Sequence, residues 1–144
     1  KAEVWELRSA SLIAVSRFDR VTASKWSRRL LKDKALLVRL TAVQTLDTIQ
    51  DRSAIPELWT QLESRQNFKG QQSLFIRRRI VETLAKLEGT GSESKFIALL
   101  EDRDSKLHQP AITALERLTG QSLGKPGDPL PRRRALWQQW SARG

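Results

Sequence analysis

A twelve-residue pattern occurs four times in this chain, and that repetition constrains the fold more than any other feature. Every copy begins with an apolar residue and has small or apolar residues at its fifth, ninth and twelfth positions. The copies cover residues 7–18, 38–49, 76–87 and 107–118, so they begin 31, 38 and 31 residues apart. Helical spacing within a period of this length is typical of a stacked helical solenoid, because one such unit cannot bury its apolar face alone.

The period predicts an all-α chain of helix pairs, an outer helix followed by an inner helix, with no strand. The seven extra residues of the middle step fall in the polar segment 65–72, which is predicted to be a loop. We expect one domain over residues 1–144, built from four repeats and a capping helix. The repeats are expected around residues 1–18, 19–49, 50–87 and 88–118, and the capping helix at 129–143.

Individual residues predict where the later helices begin and end. Ser53, Ser92 and Asp104 stand where a side-chain oxygen can accept a hydrogen bond from the first turn of a helix. Gly89 follows the third inner helix and suits the left-handed conformation that often ends one. The capping helix carries the large apolar residues expected to close the open end of the core: Leu136, Trp137 and Trp140.

The composition excludes several kinds of site. Cysteine is absent, which excludes disulfides, thiolate metal sites and cysteine nucleophiles. No apolar run approaches the ~18 residues that a membrane-spanning helix needs. His108 is the only histidine, so it has no histidine partner for a metal site and no residues at the spacing of a serine triad. We therefore expect no catalytic residue, no metal and no cofactor.

The chain is strongly basic, with a formal net charge of +10 at pH 7. Residues 1–52 and 105–144 each carry a net charge of +5, whereas residues 53–104 are neutral overall. A basic excess favours acidic partners, such as nucleic acid, anionic surfaces or acidic proteins. Two basic ends around a neutral middle are, however, a weaker sign of nucleic-acid binding than one unbroken basic stripe.

Methionine is also absent, including at position 1. We therefore expect the numbered chain to follow a removed segment, such as a signal peptide, a tag or an upstream part of the protein. This expectation favours a periplasmic or other extracytoplasmic location over a cytoplasmic one.

The chain resembles the HEAT-repeat family, in particular the short bacterial HEAT-like repeats first associated with phycobilisome lyases. The resemblance is carried by Asp33, by the repeat copy at 38–49 and by the segment 51–62. The Gly-rich linker after Leu118 and the helix with paired tryptophans are similar to the C-terminal end of many bacterial chains of this type. The fold that this implies is a right-handed α-α superhelix. The family includes scaffolds, lyase subunits, hydroxylases and DNA glycosylases, so the resemblance implies no single function.

The resemblance also implies a structural ladder, in which arginines bond to acidic residues of neighbouring turns. An arginine fork suits this role, because its five donors fix geometry as well as charge. The ladder positions are the second residues of the four copies: Arg8, Arg39, Arg77 and His108. The expected acidic partners are Asp33, Asp51 and Asp102. The iron-dependent hydroxylases of the family need His–Glu pairs in several repeats, which a chain with one histidine lacks.

A stripe of cations on the outer helix at 22–33 is the best-defined surface feature. Its members are spaced i, i+3, i+4 and i+7: Lys25, Arg28, Arg29 and Lys32. Such a stripe either binds phosphates or an acidic partner, or serves only as a solvated face that maintains solubility. The opposite face is expected to pack inward through three residues: Ala23, Trp26 and Leu30.

Two further pairs are candidate binding residues. Arg78 and Arg79 follow a ladder position, and Glu82 lies one helical turn later, so local ion pairs are expected to absorb part of their charge. Phe68 and Lys69 lie in the inserted segment, where an exposed aromatic residue beside a cation is a candidate interaction anchor.

The first inner helix has no outer helix before it in this sequence. We therefore expect its apolar residues to be only partly covered: Val4, Leu7, Leu12 and Val15. An upstream segment, a partner protein or a second copy of the chain, forming a dimer, would then complete the cover.

These features favour a non-catalytic module that binds a protein partner on the concave inner-helix surface or on the edge with the inserted segment. The alternative is nucleic-acid or polyanion binding through the basic patches, by analogy with HEAT-like DNA glycosylases. The neutral middle and the short length of the chain count against that alternative. A role as a lyase subunit rests on the family resemblance alone.

Overall fold

The structure is a computed structural model that describes the main chain of residues 2–143 and the side chains from Trp5 onward. As the period predicts, it is almost entirely α-helical. The chain divides into two compact units, residues 1–87 and 88–144, at the boundary predicted between the third and fourth repeats. The α-helices of the described residues are α1 (Ala2–Ser16), α2 (Arg20–Leu30), α3 (Leu36–Thr48), α4 (Ile55–Leu62), α5 (Ile76–Leu87), α6 (Glu93–Leu99), α7 (His108–Thr119) and α8 (Leu130–Ala142).

In the first unit, α3 is the central helix and packs against α1, α2 and α5, while α4 packs against α5. The apolar positions of the repeat supply the core. Val38, Ala42 and Leu46 of α3 are fully buried, as are Ile80 and Leu84 of α5. Burying one such large side chain contributes about 1.5–3 kcal/mol, so the repeated pattern is itself the reason that these helices stack.

The second unit consists of α6, α7 and α8, and α7 packs against both of the others. Its core includes Ala111 and Leu115 of the fourth repeat copy, which are fully buried. Trp137 of α8 is also fully buried, and its ring meets that of Trp140 edge-to-face with the centroids 5.4 Å apart. The last helix therefore covers α7 as the sequence predicts.

The start of α4 corrects one sequence prediction. Asp51, and not Ser53, accepts the main-chain hydrogen bond that begins the 3₁₀ turn Arg52–Ala54 ahead of this helix. Ser53 instead donates its hydroxyl to the Asp51 carboxylate. The Asp51 carboxylate accepts a hydrogen bond from the main-chain N–H of Ser53, so the turn is capped two residues earlier in the chain than predicted.

The loops of the second unit correct two more sequence predictions, those for Ser92 and Gly89. Ser92 precedes α6 but makes no capping bond, and its hydroxyl donates to the Gly89 carbonyl. Gly91 rather than Gly89 has a positive φ, of 101°. Asp104 does accept a main-chain bond that starts the 3₁₀ turn leading into α7, as predicted. The helix α7 ends before Gly120, which has φ of 70°.

The inserted segment is more regular than the loop that the sequence predicts. A 3₁₀ turn at Arg65–Asn67 leads into an antiparallel hairpin of β1 (Phe68–Lys69) and β2 (Gln72–Ser73). Gly70 lies at its tip with φ of 63°, which glycine adopts without steric cost. Each strand is too short and too polar to show the alternation by which strands are recognised in a sequence.

Candidate interaction surfaces

The first ladder contact is present as predicted. Arg8 donates two hydrogen bonds to the Asp33 carboxylate, from Nε at 2.6 Å and from Nη2 at 2.7 Å. Asp33 also accepts from the main-chain N–H of Ala35 and so fixes the turn between α2 and α3. Burial alone would raise the pKa of Asp33, but these hydrogen bonds and the charge of Arg8 bring it below its ordinary value.

Arg39 is buried as predicted, but the prediction that an acidic side chain binds it is wrong. Its guanidinium donates to Asn67 Oδ1 at 3.0 Å and to the carbonyls of Asp33, Lys34 and Gln66 at 2.8–3.1 Å. The inserted segment supplies two of these four acceptors, because its 3₁₀ turn lies beside the start of α3. Burial lowers the pKa of Arg39, against the opposing effect of the Asp33 charge.

Arg77 is fully buried and is held by the C-terminal end of α4 and by the hairpin. It donates to the Leu62 carbonyl at 2.9 Å, to Ser73 Oγ at 3.0 Å and to the exposed carboxylate of Glu63 at 3.2 Å. The Phe68 ring lies over its guanidinium, with the centroid 4.4 Å from Cζ. The expectation of Phe68 as an exposed anchor is therefore wrong, since the ring is half-buried against Arg77.

The fourth ladder position also departs from the prediction. His108 is buried, and its Nε2 donates to the main-chain carbonyl of Asp102 at 2.9 Å rather than to the carboxylate. The Asp102 carboxylate accepts from the main-chain N–H of Asp104. A histidine is shorter than an arginine and has a single donor to offer here, which the nearest carbonyl satisfies.

Asp51 is not a ladder acid either. Its carboxylate accepts from the hydroxyls of Ser24 and Ser53, so it joins α2 to the turn before α4. Burial alone would raise the pKa of Asp51, but these hydrogen bonds and the charge of Arg28 lower it below its ordinary value. Asp51 therefore has a structural role between the outer helices instead of a contact with a repeat arginine.

The cationic stripe on α2 is narrower than the sequence predicts. Lys25, Arg29 and Lys32 are exposed, whereas Arg28 is half-buried and lies 3.8 Å from the Glu57 carboxylate of α4. The stripe available to a partner is therefore formed by three cations and not by four.

The face of α2 that packs inward also differs from the prediction. Ala23 and Leu30 are buried as expected, but the residue between them on this face is Ser27 and not Trp26, which is 45 % exposed. Because a serine is not apolar, the helical pattern does not identify Ser27 as a buried residue. The pattern therefore placed Trp26 on the buried face by mistake.

The other cations predicted to bind are paired or isolated. Arg78 and Arg79 both reach Glu82, with N–O distances of 3.1 and 3.4 Å, so the local ion pairs that the sequence predicts are present. Both arginines remain partly exposed. Lys69 is exposed on β1, on the strand whose other residue, Phe68, faces inward to Arg77.

Sequence reasoning missed the most regular apolar feature of the first unit. Three large apolar side chains remain about half exposed on successive inner helices: Ile13 on α1 at 46 %, Leu37 on α3 at 48 % and Phe75 directly before α5 at 53 %. Leu37 and Phe75 each stand one residue before the first position of a repeat copy, which is the signal that would have found them. Ile13 lies on the corresponding face of α1.

A groove of about 330 Å³ runs between α1 and α3 beside Ile13. Ile13 and Arg17 line its α1 side, and Thr41, Gln44 and Thr48 line its α3 side. The α1 side therefore offers one apolar side chain, the Ser16 hydroxyl and one cation, and the α3 side is neutral and hydrogen-bonding. Such a mixture can bind a peptide through its side chains and its main chain.

Apolar residues at two repeat positions are exposed in the first repeat copy, whereas the equivalent residues of the second copy are buried. Leu7 is 65 % exposed and Phe18 is 88 % exposed, whereas the equivalent Val38 and Ile49 are 0 % and 8 % exposed. Leu12 is fully buried, so the expectation that it would be only partly covered is wrong, because α3 already packs against its side of α1. Val15 is half-buried, and the Val4 side chain lies outside the described residues.

The described residues contain neither a cluster of metal-ligating side chains nor a helix suited to crossing a membrane. Within them, no three or more histidine, cysteine or acidic side chains are gathered closely enough to bind a metal ion. None of the helices in residues 2–143 combines the length and the apolar character that a membrane crossing requires. Comparison with protein-family models, with curated proteins and with solved structures gives no match to this chain.

Proposed function

We propose that this chain is a HEAT-like, non-catalytic module that binds a protein partner on the exposed face of its inner helices in the first unit. One observation carries the proposal: Ile13, Leu37 and Phe75 present one large apolar side chain on each of three successive inner helices. Single exposed apolar residues are ordinary, but one in each of three successive repeats favours an interaction surface.

The groove between α1 and α3 supports the same surface. Its hydroxyl and amide groups on Thr41, Gln44 and Thr48 pair with polar atoms of a bound segment at no cost in charge desolvation. Ile13, which lines the groove, provides an apolar contact of the kind in which most of the binding energy of an interface is concentrated. A helix or extended segment of the partner, carrying apolar residues a few residues apart, fits this arrangement.

The charges around the groove favour an acidic partner. Arg17 is exposed at its α1 side, and Arg78 and Arg79 are partly exposed on α5. Glu82 offsets part of the charge of the two α5 arginines. Complementary charge of this kind raises the rate of encounter and fixes orientation more than it raises affinity.

The inner-helix face is favoured over the edge that bears the inserted segment. The aromatic residue of that segment, Phe68, is committed to Arg77 and has little free surface for a partner. The remaining side chains of the hairpin tip are polar and exposed, and they offer no apolar anchor.

A crosslinking experiment followed by a binding measurement tests this surface. A photo-reactive amino acid at position 37 should crosslink the partner, whereas the same group at Val21, which is exposed on the outer helix, should not. For the purified partner, Leu37→Glu and Phe75→Glu should each weaken binding by about tenfold or more, and Val21→Ser should leave it unchanged. Unchanged binding of both glutamate variants would show that the inner-helix face is not the site.

Polyanion binding is a second candidate, which the exposed cations Lys25, Arg29 and Lys32 favour. If it is correct, the chain should bind duplex DNA or heparin at about 50 mM salt and lose most of that affinity by about 200 mM, because counterions are released on binding. Lys25→Glu with Arg29→Glu should abolish the binding. An absence of binding at the lower salt concentration would exclude it.

A further inference from the structure

The outward face of α2 combines cations with large apolar side chains. The buried stripe of this helix runs through Ala23, Ser27 and Leu30. The opposite stripe is exposed throughout and has the spacing i, i+4, i+8 and i+11: Val21, Lys25, Arg29 and Lys32. None of its three cations forms a salt bridge with any residue whose side chain the structure describes.

The apolar part of this face is concentrated at its N-terminal end. Phe18 lies in the turn before α2 and is 88 % exposed, and Val21 is 79 % exposed. Trp26 lies on the adjoining flank of α2 and is 45 % exposed. An aromatic and a β-branched residue at the tip of a turn, both open to water, are energetically unfavourable unless something covers them.

Charge around this tip is almost entirely positive. Residues 17–32 contain six lysine and arginine residues and one acid, Asp19. The Asp19 carboxylate accepts hydrogen bonds from the main chain and the hydroxyl of Thr22 and thereby caps α2. Arg17 and Arg20 flank Phe18 in the sequence and are both exposed. We name the set of Phe18, Val21, Trp26, Lys25, Arg29 and Lys32 the α2 face.

We propose that the α2 face docks on an anionic lipid surface. In this arrangement Phe18 and Val21 enter the boundary between headgroups and acyl chains, and Trp26 lies at headgroup level, where indole rings are favoured. Lys25, Arg29 and Lys32 then meet the phosphate and carboxylate groups of the lipids. Binding of this kind depends on the buried apolar area and on the charge together.

The same observations argue against nucleic acid and against a second copy of this chain as the binding partner of the α2 face. A nucleic-acid backbone would pair with the cations, but it would leave Phe18 and Val21 in water. A second copy of this chain would bring Lys25, Arg29 and their neighbours against identical cations, and like charges placed together across an interface cost several-fold in affinity. An anionic bilayer satisfies both the charged and the apolar parts of the face.

Vesicle co-sedimentation of the full chain tests the proposal. The chain should bind vesicles containing about one third phosphatidylserine and not pure phosphatidylcholine vesicles, at about 100 mM salt. Phe18→Ser with Val21→Ser should reduce the binding by about tenfold or more, and so should Lys25→Glu with Arg29→Glu. The control is Leu37→Ser with Phe75→Ser, which removes two half-exposed apolar residues from the inner-helix face and should leave vesicle binding unchanged.

Three outcomes would overturn the proposal. The first is an absence of binding to the anionic vesicles while circular dichroism shows a folded chain. The second is binding that the charge variant abolishes and the Phe18 and Val21 variant does not, which would identify a polyanion site. The third is a concentration-dependent oligomer that Phe18→Ser dissociates, which would identify a second copy as the occupant. The Leu37→Ser and Phe75→Ser control alters the surface proposed for the protein partner, and the other variants alter the α2 face. Failure of the lipid proposal can therefore be distinguished from failure of the protein-partner proposal.

Discussion

The ring of Phe68 lies 4.4 Å from the guanidinium carbon of Arg77, so the inserted hairpin closes directly over a buried repeat arginine. A cation held against an aromatic face away from water is stabilised by the ring quadrupole. The same arginine is hydrogen-bonded to Ser73 on the second strand of the hairpin. The hairpin is therefore a packed structural element and not a mobile insertion.

Phe68→Ala should lower the free energy of unfolding by about 1–3 kcal/mol, since it removes the cation–π contact and leaves a gap over Arg77. Urea unfolding of the full chain, followed by circular dichroism, measures the change. Lys69→Ala is the neighbouring control and should be within about 0.5 kcal/mol of the unsubstituted protein. If both variants unfold at the same urea concentration, the contact adds nothing to stability.

Arg39→Ala should destabilise the protein by about 2–3 kcal/mol, because four buried or partly buried acceptors lose their donor together. Arg39→Lys should recover only part of the lost stability, since one ammonium group cannot bind all the acceptors that the planar guanidinium binds at once. Arg29 is an exposed arginine on α2, so Arg29→Ala is the control for the change in stability caused by removing a surface cation. A thermal melt in which Arg39→Ala coincides with Arg29→Ala would contradict the structural role of Arg39.

Phe18 and Ile49 occupy the same repeat position with opposite burial, so they form a matched pair. Ile49→Ala should cost about 2–4 kcal/mol through lost burial and a residual cavity. Phe18→Ala should change the free energy of unfolding by less than about 0.5 kcal/mol. An equal loss in both variants would mean that Phe18 is covered in solution by another part of the protein or by a second copy.

The Arg8–Asp33 pair makes stability depend on pH. The pKa of Asp33 is lower in the folded chain than its ordinary unfolded value of about 3.9. Its contribution is therefore present above about pH 4 and is lost as the pH falls through the folded pKa. Asp33→Asn should be less stable than the unsubstituted protein at neutral pH, and the difference should narrow below about pH 4.

Denaturant titrations at several pH values measure this dependence. Arg8→Ala should reduce it as well, because Arg8 supplies two of the hydrogen bonds that hold the pKa of Asp33 down. A stability difference between Asp33→Asn and the unsubstituted protein that stays constant from pH 7 to strongly acidic solution would rule out this linkage.

The periodicity predicted the helices of the first unit well, since each buried position recurs at helical spacing. The second repeat copy covers residues 38–49, and α3 spans Leu36–Thr48. The position of Trp26 was wrong because the core-facing residue beside it is a serine, which carries no apolar signal. The exposed row of Ile13, Leu37 and Phe75 was missed because its apolar residues flank the core positions by a single residue.

The contacts of the inserted segment depend on tertiary structure, and no local pattern encodes them. Arg39 and Arg77 were expected to bind acids of the nearest turns, as the family resemblance implies. Arg39 binds instead to Asn67 and to three main-chain carbonyls, whereas Arg77 does bind an acid, Glu63, together with the Leu62 carbonyl and Ser73. The contacts with Gln66, Asn67 and Ser73 form only after the hairpin folds back on α3 and α5. A polar, glycine-containing segment of this kind is predicted to be a loop. Its sequence does not indicate which arginines its polar side chains will bind in the folded protein.

The position of the hairpin has a consequence for the order of unfolding. In repeat proteins each unit is coupled to the next through its interface, and the coupling decides how many units open together. Here residues 65–73 bond to Arg39 of α3 through Gln66 and Asn67, and to Arg77 of α5 through Ser73. The stretch from α3 to α5 is thereby linked into a single cooperative block, while α1 and α2, which lie outside this linkage, are free to fray first.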